Sequence, residues 1–416
     1  MNTIAEFVAK LHTTPGKGVI LATGGGSEAV SLLCQDGGAS NTLESFSFPY
    51  ATKASAAFVG ASAPVNAVTA RRMAMKAYQL ALETKDGDYD SFGIGVTSKL
   101  QKTAYDEVKG IMVQSERAGR MHEIHLAIHT PRWTTSWSVS LNEPTRRAEE
   151  LINALMILDA VALAKETATV THKRVLLDFA KDPRAEVWNR LKPHRKIETA
   201  EYSSIHPQIG EVMAGTRPYV RCIISDDQVC SYETVENTED YLIVSGSFNP
   251  FHSGHAQMVE VGGKLTGKTV ALEITVRNAD KPPLDYIDIK NRLQSIIDSG
   301  VKYPQILITN AGTFAEKTAM FPNNTWAIGH DTAARINQKR FYGNHRGMIA
   351  AMSDMRKLRT KFLVFGRLDD TGVFQTGTSG IIDPFKMLCQ VVPEDAFRLD
   401  ISSTELRRKL NGGSHS

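Results

Sequence analysis

Residues 241–255 read YLIVSGSFNPFHSGH, and the change of character within this stretch decides the fold. "YLIV" (241–244) is a short apolar run of strand composition. "SGSFNPFHSGH" (245–255) holds too many Gly, Ser and Pro residues for a helix, whereas "AQMVEVGGKL" (256–265) can open one. His252 and His255, with Gly254 between them, therefore stand at a strand-to-helix junction, where free backbone N–H groups favour anions. Taken alone, two histidines three apart in a loop read as a solvated or structural feature more often than as a site.

The surroundings repeat this alternation. "TVALEITV" (269–276), "QILITN" (305–310), "TWAIG" (325–329) and "KFLVFG" (361–366) read as strands, most of them flanked by helical stretches. That order predicts a parallel, doubly wound sheet, which binds ligands beyond the C-terminal ends of its strands. Two more pieces fall on that edge. "WAIGHDTAARI" (326–336) puts Gly329, His330 and Asp331 at a strand end, where the plain reading is a turn. In "LDISSTELRRKL" (399–410), Ser402 and Glu405 have capping-box spacing, so a helix starts at Ser403. Its first amides, the Ser403 and Thr404 hydroxyls and Arg407 suit a polyphosphate, although the same spacing serves as a plain cap. What separates these pieces from their plain readings is that all three share one edge.

"GSFNPFHSGH" followed some 150 residues later by "ISSTELR" resembles the nucleotidyltransferase superfamily, and within it the nicotinamide-mononucleotide adenylyltransferases. The likeness covers about 240–410 and implies a Rossmann-like domain that moves an adenylyl group from ATP to a mononucleotide, releasing pyrophosphate. It implies that Gly246, Ser247, Phe248 and Asn249 meet the mononucleotide, and that His252 and His255 donate to ATP phosphates. Gly254 then admits the phosphates, and Ser402, Ser403, Thr404 and Arg407 grip them. Gly329 and Asp331 face a ribose or the mononucleotide. Mg²⁺ enters mainly on the phosphates, with no protein metal cage. In "RNADKPPLDYIDIKNRLQSI" (277–296), Lys281 and Arg292 are either phosphate contacts or surface charges, and Trp326 reads as core. FMN or phosphopantetheine as acceptor, or a nucleotide-binding subunit without turnover, stay open as rivals.

The N-terminal part has its own strand, Gly-rich turn and helix: "GVILAT" (18–23), "GGGS" (24–27) and "EAVSLLCQ" (28–35). Helices are expected over 68–83 and 145–165, and strands over 91–97, 123–130 and 136–142. With "ATGGGSEAVSLL" (22–33), "GIGVTSKL" (93–100) and "EPTRRAEELINALMIL" (143–158), the segment resembles CinA-type nicotinamide-mononucleotide deamidases. Aligning Thr23, Gly24 and Gly25 puts Leu21 at that family's serine, Phe48 at its tyrosine and Lys53 at its lysine. Leucine cannot attack a carbonyl, so the resemblance implies a degenerate deamidase site. A shifted nucleophile such as Ser27, or another activity, remain alternatives, as does a phosphate-binding role for the turn. "HEIHLAIH" (122–129) alternates Ile124, Leu126 and Ile128, so it is a strand. Its His125 and His129 are then about 13 Å apart, too far for one metal.

The expected organisation is a CinA-like α/β domain over 1–168, a connector with a β-hairpin over 169–239, and the nucleotidyltransferase over 240–410. The 416 residues allow this, and 42% apolar with 22% charged content is ordinary for a globular chain. A net charge of +3 gives no case for nucleic acid or an acidic membrane surface. The longest apolar stretch (151–164) contains Asn153 and Asp159 and reads as a buried helix. No targeting peptide is read at the start, which implies a cytoplasmic protein. Cys34, Cys222, Cys230 and Cys389 have no zinc spacing and read as free thiols, with a Cys222–Cys230 bridge across the hairpin as the alternative. Relatives of both halves self-associate, which implies a homo-oligomer.

Overall fold

The computed structural model describes residues 4–60, 62–87, 90–108, 111–116, 121–141, 145–165, 197–225, 230–233, 240–278, 282–301, 305–368, 374–375, 378 and 380–397. The chain divides into two compact units, Met1–Gly210 with Asp280–Tyr286, and Glu211–Ala279 with Ile287–Ser416.

The first unit runs α1 (Ile4–Thr13), β1 (Lys17–Thr23), α2 (Glu28–Cys34), β2 (Leu43–Ser47), α3 (Thr52–Val59), α4 (Ala67–Thr84) and β3 (Ser91–Lys99). It continues with β4 (Thr103–Val108), β5 (Ile111–Glu116), β6 (His122–His129), β7 (Trp133–Leu141), α5 (Arg146–Lys165) and β8 (Ile197–Ser204). Its sheet has the order β2-β1-β3-β6-β7-β8, parallel over the first three strands and antiparallel over the rest. β4 and β5 form a separate hairpin.

Asn66 starts α4 by accepting the Thr69 N–H at 2.9 Å. The helix lays Ala70, Ala74, Ala77 and Ala81 against the sheet, all fully buried. Facing them, β3 carries glycines. A Cβ on Gly93 would lie 2.1 Å from the Ala74 carbonyl oxygen, and one on Gly95 2.2 Å from that of Ala70. These two glycines thus let a helix backbone rest on a strand backbone. The apolar run at 151–164 is the buried helix α5, packed with Ile20, Ile94, Leu126 and Ile128 of the strands. β6 is a strand, as its alternation requires.

Two buried cations shape this unit. Lys165 ends α5 and gives its ammonium to the carbonyls of Leu11, Thr14 and Asn41 and to the Thr42 hydroxyl. Burial lowers its pKa to about 8. Arg71 on α4 pairs with Asp285 at 3.2 Å and with Glu201 on β8 at 2.6 Å.

The second unit contains the C-terminal half of α6 (Pro207–Ala214), then β9 (Tyr219–Ile224), β10 (Cys230–Glu233), β11 (Tyr241–Ser245), α7 (Ser253–Thr266) and β12 (Thr269–Thr275). There follow α8 (Tyr286–Asp298), β13 (Gln305–Thr309), α9 (Phe314–Met320), β14 (Thr325–Gly329), α10 (His330–Ile336), α11 (His345–Lys357) and β15 (Lys361–Phe365). A short pair, β16 (Arg367–Leu368) and β17 (Phe374–Gln375), precedes β18 (Cys389–Val391). The sheet order is β10-β9-β13-β12-β11-β14-β15-β18.

From β13 to β18 the strands are parallel, whereas β9 and β10 run antiparallel. The strands expected to be parallel are so, and the sheet becomes mixed only at this edge. The hairpin near 218–235 joins this sheet, because β9 pairs with β13 and covers its otherwise open backbone groups. Cys222 faces Tyr232, not Cys230, and is a free thiol.

The chain winds outward from β11 to β12 and β13, and α9 then returns it to β14 on the other side of β11. The topological switch therefore lies between β11 and β14, where doubly wound sheets open a crevice. Trp326 is fully buried among Phe321, Phe362 and Ile328, as a core residue. Among the described residues, no helix is long and apolar enough to cross a membrane.

Candidate functional site

The loop after β11 is tied down at three points. Gly246 N–H donates to the Glu273 carbonyl at 3.2 Å, and Phe251 N–H to Ser295 Oγ at 2.8 Å. Arg292, from α8, donates to the Ser247 carbonyl at 2.5 Å. This contact with the loop is one that neither reading of Arg292 in the sequence, phosphate contact or surface charge, names. Phe248 turns inward at φ +43° and is fully buried, its ring meeting His255 edge-on at 4.9 Å. A Cβ on Gly246 would lie 2.6 Å from that ring, so the residue before Ser247 has to be small. Ser247 and Asn249 are exposed, and the Asn249–Pro250 bond is cis.

His252 is the N-cap of α7. Gly254 N–H donates to His252 Nδ1 at 3.2 Å, and His252 N–H donates to His255 Nδ1 at 3.2 Å. A backbone N–H can only donate, so both Nδ1 atoms are acceptors and a neutral ring carries its proton on Nε2. The rings stack with centroids 3.8 Å apart. Burial, reinforced by the neighbouring His252, lowers the His255 pKa to about 3, and burial also lowers that of His252. At neutral pH the pair is two stacked, uncharged rings with Nε2–H donors. The Gly254 amide, through this bond, orients the His252 ring.

Gly329 ends β14. Continuing the register from the Val244–Ala327 pair brings it level with Gly246 across the switch. Among the described residues, a Cβ there would meet nothing within 4 Å. Asp331 stands exposed in the first turn of α10. Structure thus places Gly246, Ser247, Gly329 and Asp331 at the ends of two adjacent strands. Lys281, Ser402, Ser403, Thr404 and Arg407 lie outside the described residues.

One group beneath the loop was missed in the sequence. Glu273 on β12 is fully buried and bonds Ser245, Thr309 and Lys317. Its signal was available, since a glutamate inside the apolar run "TVALEITV" must find partners when that strand is buried.

The N-terminal turn is built otherwise. Leu21, at the deamidase serine position, is fully buried among Val19, Val59, Met73 and Ala77. Phe48 stacks on Tyr50 at 5.5 Å, and Lys53 is exposed on α3. The Thr23 carbonyl accepts from Ser98 Oγ at 3.2 Å. Glu150 of α5 takes the Gly26 N–H at 3.0 Å, the Ser27 hydroxyl at 2.7 Å and the Glu28 N–H at 3.2 Å. A phosphate at this turn would have to displace that carboxylate. Ser27, the alternative nucleophile, spends its proton on it. Gly24 and Gly25 serve close packing, because added Cβ atoms would lie 1.9 Å from the Ser98 carbonyl oxygen and 2.5 Å from Leu100.

A cavity of about 960 Å³ lies at the opposite edge of the second unit's sheet, lined by Lys268, Arg356, Arg359, Lys361, Leu265 and Met387 among others. Helix C-termini and strand N-termini meet there, and cations at such ends complement the helix dipoles.

Residues 243–409 match the cytidylyltransferase-like family, so the C-terminal half of this chain carries a nucleotidyltransferase domain of that kind. No curated protein matches the chain.

Proposed function

We propose that the C-terminal half transfers an adenylyl group from ATP to nicotinamide mononucleotide or its acid analogue, giving the dinucleotide and pyrophosphate. The observation that carries this reading is the pair of Nε2–H donors, His252 and His255, set beside the switch between β11 and β14. An oxygen of the acceptor's phosphate attacks the α-phosphorus of ATP, and the bond to the pyrophosphate oxygen breaks. No protein nucleophile is required, so the residues act by positioning and by stabilising charge. Fixed Nε2–H donors suit this work, because they are already oriented when charge builds on the phosphate oxygens.

His252, His255, Ser247 and Arg292 offer hydrogen-bond donors. That set fits phosphate oxygens better than a bare cation, which prefers oxygen ligands. Magnesium accordingly enters with ATP on its phosphates and offsets their charge. The sequence "GSFNPFHSGH" supports a nicotinamide-type acceptor over FMN or phosphopantetheine. For the N-terminal half, the buried Leu21 supports a relative without deamidase chemistry.

Incubation with ATP, Mg²⁺ and a panel of mononucleotides, with pyrophosphate as readout, tests the first reading. Release with a nicotinamide-type acceptor is expected, and ATP binding without release from any acceptor overturns it. Ammonia release from nicotinamide mononucleotide, expected to be absent, tests the second.

A further inference from the structure

Three strand ends and one helix meet beneath the loop. Ser245 closes β11, Glu273 stands beside it on β12, and Thr309 closes β13. Lys317 comes from α9, the helix that carries the chain back across the sheet. The Thr313–Glu316 capping box fixes where that helix begins. Glu273 Oε1 accepts from the Thr309 hydroxyl at 2.5 Å. Its Oε2 accepts from the Ser245 hydroxyl at 2.7 Å and from Lys317 Nζ at 2.8 Å. Lys317 also donates to Ser245 Oγ at 3.1 Å, so this one hydroxyl both gives and receives. Glu273 is fully buried and Lys317 is 5% exposed.

Stability alone is a poor reason for such a pair. Taking two charges out of water costs several kcal/mol, and well-packed apolar residues often serve a core as well or better. What the charges add is direction. Ser245 has one orientation available, and the next residue, Gly246, hangs its N–H on the main-chain carbonyl of the same Glu273. Side chain and backbone of one residue therefore grip the point where β11 becomes the loop.

We infer that Glu273 and Lys317 are positioning residues for the adenylyl transfer proposed above, and the inference rests on that reading of the loop. They fix the exit of β11, and with it the distance from the His252 and His255 donors to the reacting phosphate. The helix that reverses the winding of the sheet thereby also sets the site at the reversal. A displacement of about 1 Å at the reacting atoms can cost on the order of a hundredfold in rate.

The test replaces both charges with apolar groups, Glu273→Leu with Lys317→Met, so that neither is left buried alone. Thermal unfolding is expected to stay cooperative, while kcat falls about tenfold or more with the KM for ATP held within about threefold. Ser245→Ala alone is expected to lower kcat in the same direction, and to add little in the double variant, since all three residues act through one hydroxyl. Backbone hydrogen exchange over residues 246–252 is expected to quicken in both. A folded double variant with unchanged kcat and unchanged exchange overturns the inference, and so does an additive Ser245→Ala effect. Should the double variant fail to fold, Ser245→Ala carries both readouts by itself. Wild-type protein that releases no pyrophosphate with any acceptor sinks the proposed function, whereas the exchange measurement still decides whether this pair holds the loop.

Discussion

Each unit of this protein contains a strand that runs through a glycine-bearing turn into a helix, and the two turns do opposite things with their polar groups. At residues 23–28 the turn is closed from inside: Glu150 takes two of its amides and the Ser27 hydroxyl, and glycines admit packing atoms. At residues 245–255 two backbone amides, those of His252 and Gly254, are given to imidazole Nδ1 atoms, which turns each Nε2–H into a donor free of tautomeric choice. One junction consumes its hydrogen-bonding capacity, while the other relays it from the main chain to side chains. A Gly-rich strand-to-helix turn is thus a neutral frame whose use depends on what fills it.

The largest test of this contrast is His255→Ala, which removes a relayed donor and is expected to cut turnover about a hundredfold or more. Unchanged turnover in a pyrophosphate assay would remove that donor from the chemistry. Arg292→Met is next. With the Ser247 carbonyl released, kcat/KM is expected to fall about tenfold while the fold persists by circular dichroism. On the closed side, Glu150→Ala strands two amides and a hydroxyl, and chemical denaturation is expected to register a loss of about 1–2 kcal/mol. No loss would mean that water replaces the carboxylate and that the turn is less closed than its geometry indicates.

The smallest expected effect is the absence of one. With a pKa lowered to about 3, His255 is expected to show no titration between pH 5 and 8 by NMR, and an Nε2–H tautomer throughout. Its contribution to stability has a definite sign. The unfolded histidine binds a proton near pH 6.5 and the folded one does not. The contribution is therefore present above about 6.5 and is lost as the pH falls toward 3. The fully buried His129, also lowered to about 3 by burial, adds the same acid sensitivity to the first unit. His129→Phe should shift the acid unfolding midpoint of that unit downward.

Much of this was legible before any coordinates. Periodicity gave the long helices and the central strands, because α4, α5 and the strands of the second sheet bury continuous apolar faces. The loop at 245–255 declared itself through composition and its place between a strand and a helix. What escaped was set by pairing. β2 (LESFS) and β8 (IETAEYSS) carry too few apolar residues to look like strands, and they exist because a neighbouring strand offers an edge. The capture of the Gly26 amide by Glu150 spans 124 positions, and the Glu273–Lys317 pair spans 44. Local pattern cannot see either.

The pairing of Arg71 with Asp285 bears on how this molecule can be divided. The first unit includes Asp280–Tyr286, so the chain passes between the units at 210–211, again at 279–280 and again at 286–287. A gene cut once near residue 240 would yield an N-terminal product whose buried guanidinium has lost a carboxylate that is only 1% exposed, and a C-terminal product carrying a stray segment. A division that respects both units therefore has to leave residues 280–286 with the first.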